Sequence, residues 1–352
     1  QDQVLGDIFD DDYAFRIPPY QRPFAWTEEE GEELFDDVLQ QVDGVDNETG
    51  NVSDYFLGAI VLVKSSQRRY SIIDGQQRIT TLTILYAALR EKLEGSTRDG
   101  AQARIMAQPD PLKGIRAKPR LTVRDQDFFR RFIQNDNHSR ISELPDMDLG
   151  HRSEALRNIR DIATMFLERL DELDQEEIKR FAEYLTQHCV MVVVTTENNQ
   201  SGYRIFSVLN DRGIDLQPSD ILKADVLGKI SDDDQHQYAE EWEETEKMLG
   251  RDGFQDLLSQ LRMIHRRRRL SKSLVEEFRE SVLRQYSSSA FVEDVLIPYA
   301  DTYDRVVNCD FETEELSDRI NAMLRWLKRV NHSDWIAPVI AYYRQCDPSP
   351  SE

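Results

Sequence analysis

The sequence lacks any apolar run long enough to cross a membrane, and it contains few cysteines. Residues 1–12 are acidic where a signal peptide would be basic and then apolar. The three cysteines, Cys189, Cys309 and Cys346, lie far apart and form no CxxC or Cys/His ligand spacing. This spacing predicts buried structural thiols rather than a disulfide framework or a zinc site. Together these absences predict a cytoplasmic protein without a membrane partner.

Basic charge is in the minority overall but is concentrated in one part of the chain. The 44 Lys and Arg residues against 66 Asp and Glu residues give a formal net charge of −22. This balance argues against a protein coated in basic surface for nonspecific binding of nucleic acid. Residues 1–54 hold sixteen acidic and two basic residues, whereas residues 64–131 hold fifteen basic and seven acidic. The second stretch is a candidate to face phosphates, although charges that are solvated or mutually paired explain it too.

The hydrophobic pattern predicts an α+β fold built on a small mixed sheet. Apolar and β-branched runs at 55–63 and 70–74 predict a hairpin, and the run at 190–196 predicts a buried central strand of the same sheet. A helix is predicted to begin directly after Asp74 and to pack one face on the sheet. The three prolines of residues 17–23 exclude a helix there and predict a strand edge or an extended arm.

Helices predominate outside this sheet. We expect residues 1–93 and 188–230 to form the core that contains the sheet, residues 94–187 to form a helical insertion, and residues 231–352 to form a helical domain. Helical periodicity occupies residues 125–133, 153–170, 176–187, 201–209, 218–230, 237–249, 254–263, 274–286, 314–330 and 334–343. No Met opens the chain and a Pro/Ser-rich tail ends it, which predicts a truncated protein.

The motif best suited to chemistry is Asp74-Gly75-Gln76-Gln77-Arg78. It joins an apolar strand to a helix start, where free backbone N–H groups and the helix dipole attract an anion. Gly75 would let a phosphate approach, Arg78 could clamp its oxygens, and the two glutamines could orient a water or a base. Asp74 could bind Mg²⁺ or polarise the attacking water, or it could simply cap the helix. The sequence has no GxxxxGK[ST] pattern, which excludes a P-loop.

Three blocks of sequence share a diagnostic order and spacing. They are residues 17–26 (IPPYQRPFAW), residues 71–82 with the DGQQR motif, and residues 206–227 (FSVLNDRGIDLQPSDILKADVL). The blocks resemble the ParB/sulfiredoxin-like domains that form the amino-terminal part of GmrSD-type, modification-dependent restriction endonucleases. The resemblance covers residues 17–228 in outline, and the helices beyond that range are much less diagnostic.

The resemblance implies that the chain binds and hydrolyses GTP or ATP with Mg²⁺ in order to regulate a DNA nuclease. Catalytic roles are then expected for Asp74, Gln76, Gln77 and Arg78, with Asp74 as a metal ligand. Nucleotide contacts are expected from Gly75, Arg78, Thr80, Thr81, Asn210, Arg212 and Lys223. Capping and turn formation explain the last three equally well. The histidines form no His-Asn-His arrangement, so the chain's own C-terminal HNH-type nuclease domain is expected to be a missing partner.

Residues Pro19, Tyr20, Gln21 and Arg22 resemble the segment that senses modified DNA in the Ssp phosphorothioation-dependent defence proteins. Sulfur is larger and softer than the phosphate oxygen it replaces, and it is a weaker hydrogen-bond acceptor. Proline and tyrosine side chains can favour it through dispersion while Arg22 holds the charge. Modified double-stranded DNA is therefore the expected partner. The alternative is that Tyr20 is a core aromatic residue that anchors the arm.

Several functional alternatives stay open. The basic cluster at residues 265–270 could contact a DNA backbone or bind the protein's own carboxylates. A ParB-like DNA clamp, in which nucleotide only switches the conformation, is the main alternative to an NTPase, and a homo-oligomer is open as well. A sulfiredoxin-type enzyme is excluded because no cysteine stands beside Arg78.

Overall fold

The computed structural model divides the chain into two compact units, residues 1–213 and residues 214–352. It describes residues 2–43, 52–66, 68–109, 117–144, 154–198, 201–203, 205–206, 217–231, 233–311, 316–330 and 332–346. The boundary between the two units follows residue 213, which is seventeen residues before residue 230, where the sequence-based expectation placed the end of the sheet-containing core. Residues 94–187 belong to the first unit rather than to a separate body.

The first unit is built on a mixed six-stranded sheet. Its strands are β1 (Asp2–Val4), β2 (Ala14–Arg16), β3 (Tyr55–Ser66), β4 (Arg69–Asp74), β7 (Leu121–Thr122) and β8 (Cys189–Thr196). They lie in the order β1-β8-β3-β4-β2-β7, and β5 (Met106–Ala107) and β6 (Lys118–Pro119) form a separate pair. Strands β3 and β8 are parallel, β3 and β4 are antiparallel, and β2 runs parallel to both β4 and β7.

This sheet confirms the predicted hairpin and the predicted strand at 190–196, which lies between β1 and β3. Residues 94–187, expected to form a helical insertion, contain the short strands β5, β6 and β7 as well as helices, and β7 pairs with β2 at the sheet edge. A two-residue strand is too short to show the alternation by which strands are recognised in a sequence.

Seven helices of the first unit pack around the sheet and each other in the described residues: α1 (Leu5–Ile8), α2 (Glu28–Asp43), α3 (Gln76–Lys92), α4 (Gly95–Ile105), α5 (Gln126–Phe129), α6 (Glu154–Asp171) and α7 (Gln175–Gln187). A π-helical turn (Arg130–Gln134) continues α5, and a 3₁₀ segment (His138–Glu143) follows it. The helix predicted after Asp74 is confirmed as α3.

Helix α3 is buried on all sides from Ile79 to Arg90, so the prediction of a single packed face is wrong. It lies against α4 and α6 as well as within the apolar core of the unit. Two of its three buried threonine hydroxyls are bonded within the helix, whereas the hydroxyl of Thr81 has no partner among the described residues. Thr80 donates to the carbonyl of Gln76 at 2.8 Å, and Thr83 donates to the carbonyl of Ile79 at 2.7 Å.

The second unit is helical in its described residues: α8 (Pro218–Leu227), α9 (Gln235–Arg266), α10 (Leu274–Phe278), α11 (Ser288–Ala290), α12 (Ile297–Asn308), α13 (Ser317–Leu327) and α14 (Ile336–Cys346). Helix α9 has a break at Gly250 (φ 69°), where the sequence predicts two helices. Residues 288–308 were not predicted to be helical, yet α11, a π-helical turn and α12 occupy them. Trp242, Phe254, Phe278 and Phe291 form an aromatic cluster in this unit's core.

Two cysteines confirm the expectation of buried thiols. Cys189 and Cys309 are free and buried, and burial raises the pKa of Cys189 to about 12. No helix among the described residues is long and apolar enough to cross a membrane.

Candidate functional site

Three chain segments meet at one edge of the sheet of the first unit. Strands β2, β4 and β7 run parallel, so their carboxyl ends lie at the same edge. The chain leaves these ends as residues 17–26, which we call the arm, as the turn Asp74–Arg78, and as residues Val123–Asp125. The crevice outside the carboxyl ends of parallel strands is where open α/β sheets bind ligands.

The two glutamines of the turn hold the backbone of the arm. Gln77 donates to the carbonyl of Pro23 at 3.1 Å and accepts from the N–H groups of Ala25 at 2.8 Å and Trp26 at 3.2 Å. Gln76 donates to the carbonyl of Arg22 at 3.0 Å. These amides were predicted to orient a water or a base, and in this structure they fix the arm against the start of α3 instead.

A small pocket of about 40 Å³ lies among the three segments. It is lined by Ile17, Pro18, Gln21, Arg22, Pro23, Phe24, Gln76, Gln77, Thr80, Val123, Arg124, Asp125 and Ile159. The side-chain oxygen of Gln76 is buried and has no partner among the described residues. One water requires roughly 10–15 Å³ of such space, so the pocket accepts a few waters or one small group and is too small for a nucleoside.

Gly75 is required by the packing of the turn. Its φ of +90° is a conformation that only glycine adopts at little cost, and a Cβ there would lie 2.5 Å from the side chain of Ile60. The prediction that Gly75 keeps space open for phosphate is therefore wrong, since the missing Cβ points at β3. The Gly75 N–H donates to the carboxylate of Asp74 at 2.8 Å, but the N-cap of α3 is Gly75 and no side chain caps the helix.

Arg78 is half-buried and lies over the backbone of β3. Its guanidinium donates to the carbonyl of Ala59 at 3.1 Å. A Cβ at Gly58, which has a φ of +102°, would lie 3.1 Å from the guanidinium carbon. Burial lowers the pKa of Arg78, and the nearby Asp74 carboxylate opposes that shift. The pairing of β3 with β8 is irregular between Phe56 and Ala59, and the side chain of Arg78 lies against this part of β3.

Asp74 and Arg78 form a partly desolvated pair of opposite charges. Burial raises the pKa of Asp74, and the Gly75 N–H, Arg78 and then Arg22 oppose the increase. The pKa of Asp74 is still raised overall, so the hydrogen bond and the two guanidinium groups, which belong to different segments, offset only part of the effect of burial. This arrangement brings Arg22 of the arm electrostatically close to the turn.

The remaining predicted nucleotide contacts fall into three groups. Thr80 lines the pocket, whereas Thr81 is fully buried and a direct contact to a ligand does not fit its position. Lys223 is 7% exposed and bonds to Glu243 at 3.0 Å within the second unit. Asn210 and Arg212 lie outside the described residues.

The four predicted sensing residues lie in the arm at different depths. Tyr20 is buried, Pro19 and Gln21 are half-buried, and Arg22 is exposed. The arm turns here, with the N–H of Gln21 donating to the carbonyl of Pro18 at 3.0 Å. The arm therefore contains a turn and no helix, with Arg22 exposed and Tyr20 buried, as the alternative of a core aromatic residue at Tyr20 requires.

Two parts of the site were missed by the sequence reasoning. The segment Val123–Asp125 lines the pocket, and Gly58 with Ala59 seats Arg78. Arg124 and Asp125 follow a short β-branched run in the sequence, and this pattern was a detectable signal for the first part. The second part depends on a bulge in β3, and the sequence carries no signal for it beyond a glycine in a strand.

A magnesium site made of protein ligands alone is not found. Among the described residues no three His, Cys, Asp or Glu side chains are grouped to hold a metal ion. Magnesium at nucleotide sites is commonly held by one or two carboxylates together with phosphate oxygens. Asp74 fits that kind of site, in which phosphates supply most of the ligands.

One protein-family model matches residues 5–227 of the chain, and its description is "GmrSD restriction endonuclease, N-terminal domain". The match includes the arm, the turn and Val123–Asp125, and it extends into α8 of the second unit. A comparison with curated proteins gave no match.

Proposed function

Because the chain belongs to the GmrSD restriction endonuclease N-terminal domain family, we propose that its first unit binds and hydrolyses GTP or ATP and senses modified double-stranded DNA. Restriction of foreign DNA places the protein in antiviral defence. We further propose that the sheet is of the ParB/sulfiredoxin type, and that the chain's own C-terminal nuclease domain is the regulated partner. One observation carries the proposal: Gln76 and Gln77 join the turn to the arm.

The phosphate-binding part of the proposal rests on the start of α3. The N–H groups of Gln76, Gln77 and Arg78 are at the head of the helix, so they have no partner within it, and they attract an anion together with the helix dipole. Arg22 adds an exposed guanidinium beside them. A bound nucleoside triphosphate with Mg²⁺ would supply the phosphoanhydride bond to be cleaved.

Asp74 is the residue best placed to act on a proton or a metal-bound water. Its carboxylate is partly desolvated, and burial raises its pKa although Arg78 and Arg22 oppose the increase. A carboxylate in such surroundings is a stronger base than one in water, because water no longer stabilises its charge. Arg78 is held by Ala59, and it keeps Asp74 in position rather than moving freely towards a phosphate.

The DNA-sensing part of the proposal rests on the arm. Arg22 can hold the charge of a modified phosphate, while the half-buried Pro19 and Gln21 contact a soft sulfur atom more favourably than a hydrated oxygen. A phosphate or phosphorothioate group, unlike a nucleoside, is of the size that the pocket accepts. DNA at the arm would then pull on the backbone that the two glutamines hold.

Turnover of radiolabelled GTP and ATP by the purified protein tests this function. The assay is run with no DNA and with unmodified, phosphorothioated or hydroxymethylated duplexes. We expect hydrolysis that phosphorothioated DNA stimulates most. An absence of turnover with every nucleotide and every duplex would remove the NTPase.

A nucleotide-switched clamp without hydrolysis is the second candidate, and one observation favours it. The side chain of Gln77 bonds to the arm through both its nitrogen and its oxygen, so it is not positioned to orient an attacking water in this conformation, and Gln76 has only its buried oxygen without a partner among the described residues. If the protein binds nucleotide and DNA but releases no free phosphate, it acts as a nucleotide-switched clamp rather than as an NTPase.

A further inference from the structure

The basic run at residues 265–270 separates into an inner and an outer part at the end of α9. His265 is turned inward, with one ring nitrogen 2.8 Å from the carbonyl of Leu261 and the other 3.3 Å from the hydroxyl of Tyr286. Arg266 faces the carboxylates of Glu277 at 3.6 Å and Glu280 at 3.5 Å. These two residues are therefore engaged by the second unit itself.

The outer part, Arg267–Arg269, is exposed. Within the described part of the chain, no Asp or Glu lies at ion-pair distance from these three arginines, although acidic residues outnumber basic ones by 66 to 44. The neighbouring cations are paired, since Arg262 binds Glu277, and Lys272 binds Glu280 at 2.7 Å. Arg267–Arg269 thus form an uncompensated positive patch on an acidic protein.

The loop that carries the patch is held in shape by one buried carboxylate. Glu277 accepts from the N–H and the hydroxyl of Ser271 at 2.9 and 2.8 Å, from the N–H of Lys272 at 3.0 Å, and from Arg262. Burial disfavours the charge on this carboxylate, but the bonds from Ser271, Arg262 and Lys272 outweigh burial and lower the pKa of Glu277 to about 2. Both ends of the loop are therefore fixed.

The backbone at Arg267 adds a second sign of fixed geometry. This residue ends α9 in the left-handed conformation (φ 54°), and its N–H donates to the carbonyl of Met263 at 2.8 Å. Glycine is the usual residue at such an end, because the left-handed conformation is unfavourable for a residue that carries a side chain. An ordered loop loses less conformational entropy on binding than a mobile one, so its contacts contribute more affinity.

We propose that Arg267–Arg269 form a second DNA contact, one that binds the phosphate backbone of duplex DNA irrespective of sequence or modification. This inference rests on the proposed binding of DNA by the family, because a DNA duplex is the polyanion that such a protein must hold. The arm then distinguishes modified from ordinary DNA, and the loop adds affinity for both. Guanidinium groups are well suited to this contact because they bind phosphate oxygens through two N–H groups at once.

The test is the salt dependence of DNA binding by the full chain. In the variant R267Q/R268Q/R269Q we expect the slope of log affinity against log salt concentration to fall by up to about 2.7, since each neutralised phosphate contributes about 0.9. Affinity should fall at least tenfold for modified and unmodified duplexes alike, and the ratio between the two should keep its wild-type value. All three substitutions are on an exposed loop, so the fold should be retained, as circular dichroism will show.

A matched control removes three positive charges elsewhere in the second unit. Lys229, Lys247 and Arg319 are exposed, and K229Q/K247Q/R319Q has the same net charge as the test variant. The control should leave the slope unchanged, which separates a local contact from a general charge effect. Equal losses in both variants would overturn the proposal.

An unchanged slope in the test variant would overturn the proposal, and so would a wild-type chain whose DNA binding does not depend on salt. A third contrary outcome is that the wild-type chain binds poly-glutamate, and that the test variant loses this binding while it keeps its affinity for DNA. The last outcome would make the loop a docking site for an acidic protein segment. Nucleotide turnover is not used as a readout, so failure of the proposed NTPase would leave the result on the loop intact.

Discussion

The side-chain nitrogen of Gln77 lies 3.1 Å from the carbonyl oxygen of Pro23, and its side-chain oxygen lies 2.8 Å from the nitrogen of Ala25. The side chain of Gln77 thus both donates a hydrogen bond to the backbone of the arm and accepts one from it. The arm and the turn are 54 residues apart in sequence at the Pro23 contact and are joined through this side chain. The arm is therefore hydrogen-bonded directly to the first residues of α3.

Gln77→Ala should loosen the arm without unfolding the unit. It removes three partly exposed hydrogen bonds, and at about 0.5–1.5 kcal/mol each the free energy of unfolding of the arm segment should fall by roughly 2 kcal/mol. Hydrogen exchange at the amides of Ala25 and Trp26 measures this. In the control Gln77→Glu, the acceptor for Ala25 and Trp26 is kept and only the bond to Pro23 is lost, so exchange at these amides should stay closer to wild type.

Gly75→Ala should destabilise the first unit strongly. The substitution forces a positive φ on alanine and places its Cβ 2.5 Å from the side chain of Ile60. Together these effects should cost about 2–4 kcal/mol in chemical denaturation. Ile60→Ala removes the Cγ2 methyl group that lies 2.5 Å from the new Cβ, so the double variant should lose less stability than the sum of the two single variants. A fully additive double variant would show that the contact is unimportant.

Asp74→Asn should stabilise the fold and impair function. The folded-state pKa of Asp74 is raised, chiefly by burial. Ionisation of Asp74 therefore lowers the free energy of unfolding, and this loss increases as the pH rises from the pKa of the unfolded chain through that of the folded chain. Asparagine keeps an oxygen for the Gly75 N–H without the charge. We expect a higher melting temperature at pH 7.5, no gain well below pH 4, and at least a tenfold loss of turnover. A lower melting temperature at pH 7.5 would show that attraction to Arg78 and Arg22 exceeds the cost of burial.

His138 should make the first unit sensitive to acid. Its ring is fully buried with a nitrogen 3.0 Å from the carbonyl of Phe132, and burial lowers its pKa from 6.5 to about 3. Below about pH 6.5, His138 therefore binds a proton in the unfolded chain but stays neutral in the folded chain. Stability is full above about pH 6.5 and falls below it by up to about 1.4 kcal/mol per pH unit. Hydrogen exchange over residues 130–144 at pH 7.5 and pH 5 should show this loss in wild type and not in His138→Gln.

The sequence predicted the elements with strong local signals. The hairpin, the strand at 190–196, the break in α9 and the helix-free arm follow from β-branched runs, glycine and proline, which act within a few residues. It did not predict β7, the helical residues 288–308 or the full burial of α3, because these depend on partners that are distant in sequence. Burial of Thr80 and Thr83 in particular requires hydroxyls bonded inside the helix, which a hydrophobicity pattern does not register.

The candidate site shows the same limit. Sequence alone identified the turn and the arm as separate motifs with separate ligands. It did not predict that Gln76 and Gln77 bind the arm, that Arg78 is seated on Gly58, or that Gly75 faces Ile60. Side chains of those types suit several roles, and only the positions of their neighbours decide which one they have.

The most direct test of the account is the reciprocity of nucleotide and DNA binding. Affinity for a non-hydrolysable GTP or ATP analogue is measured with and without phosphorothioated duplex, and affinity for the duplex is measured with and without the analogue. If the turn and the arm are joined as described, each ligand changes the affinity for the other by the same factor, and that factor approaches one in Gln77→Ala. A wild-type factor of one, or a factor that Gln77→Ala leaves unchanged, would contradict the account.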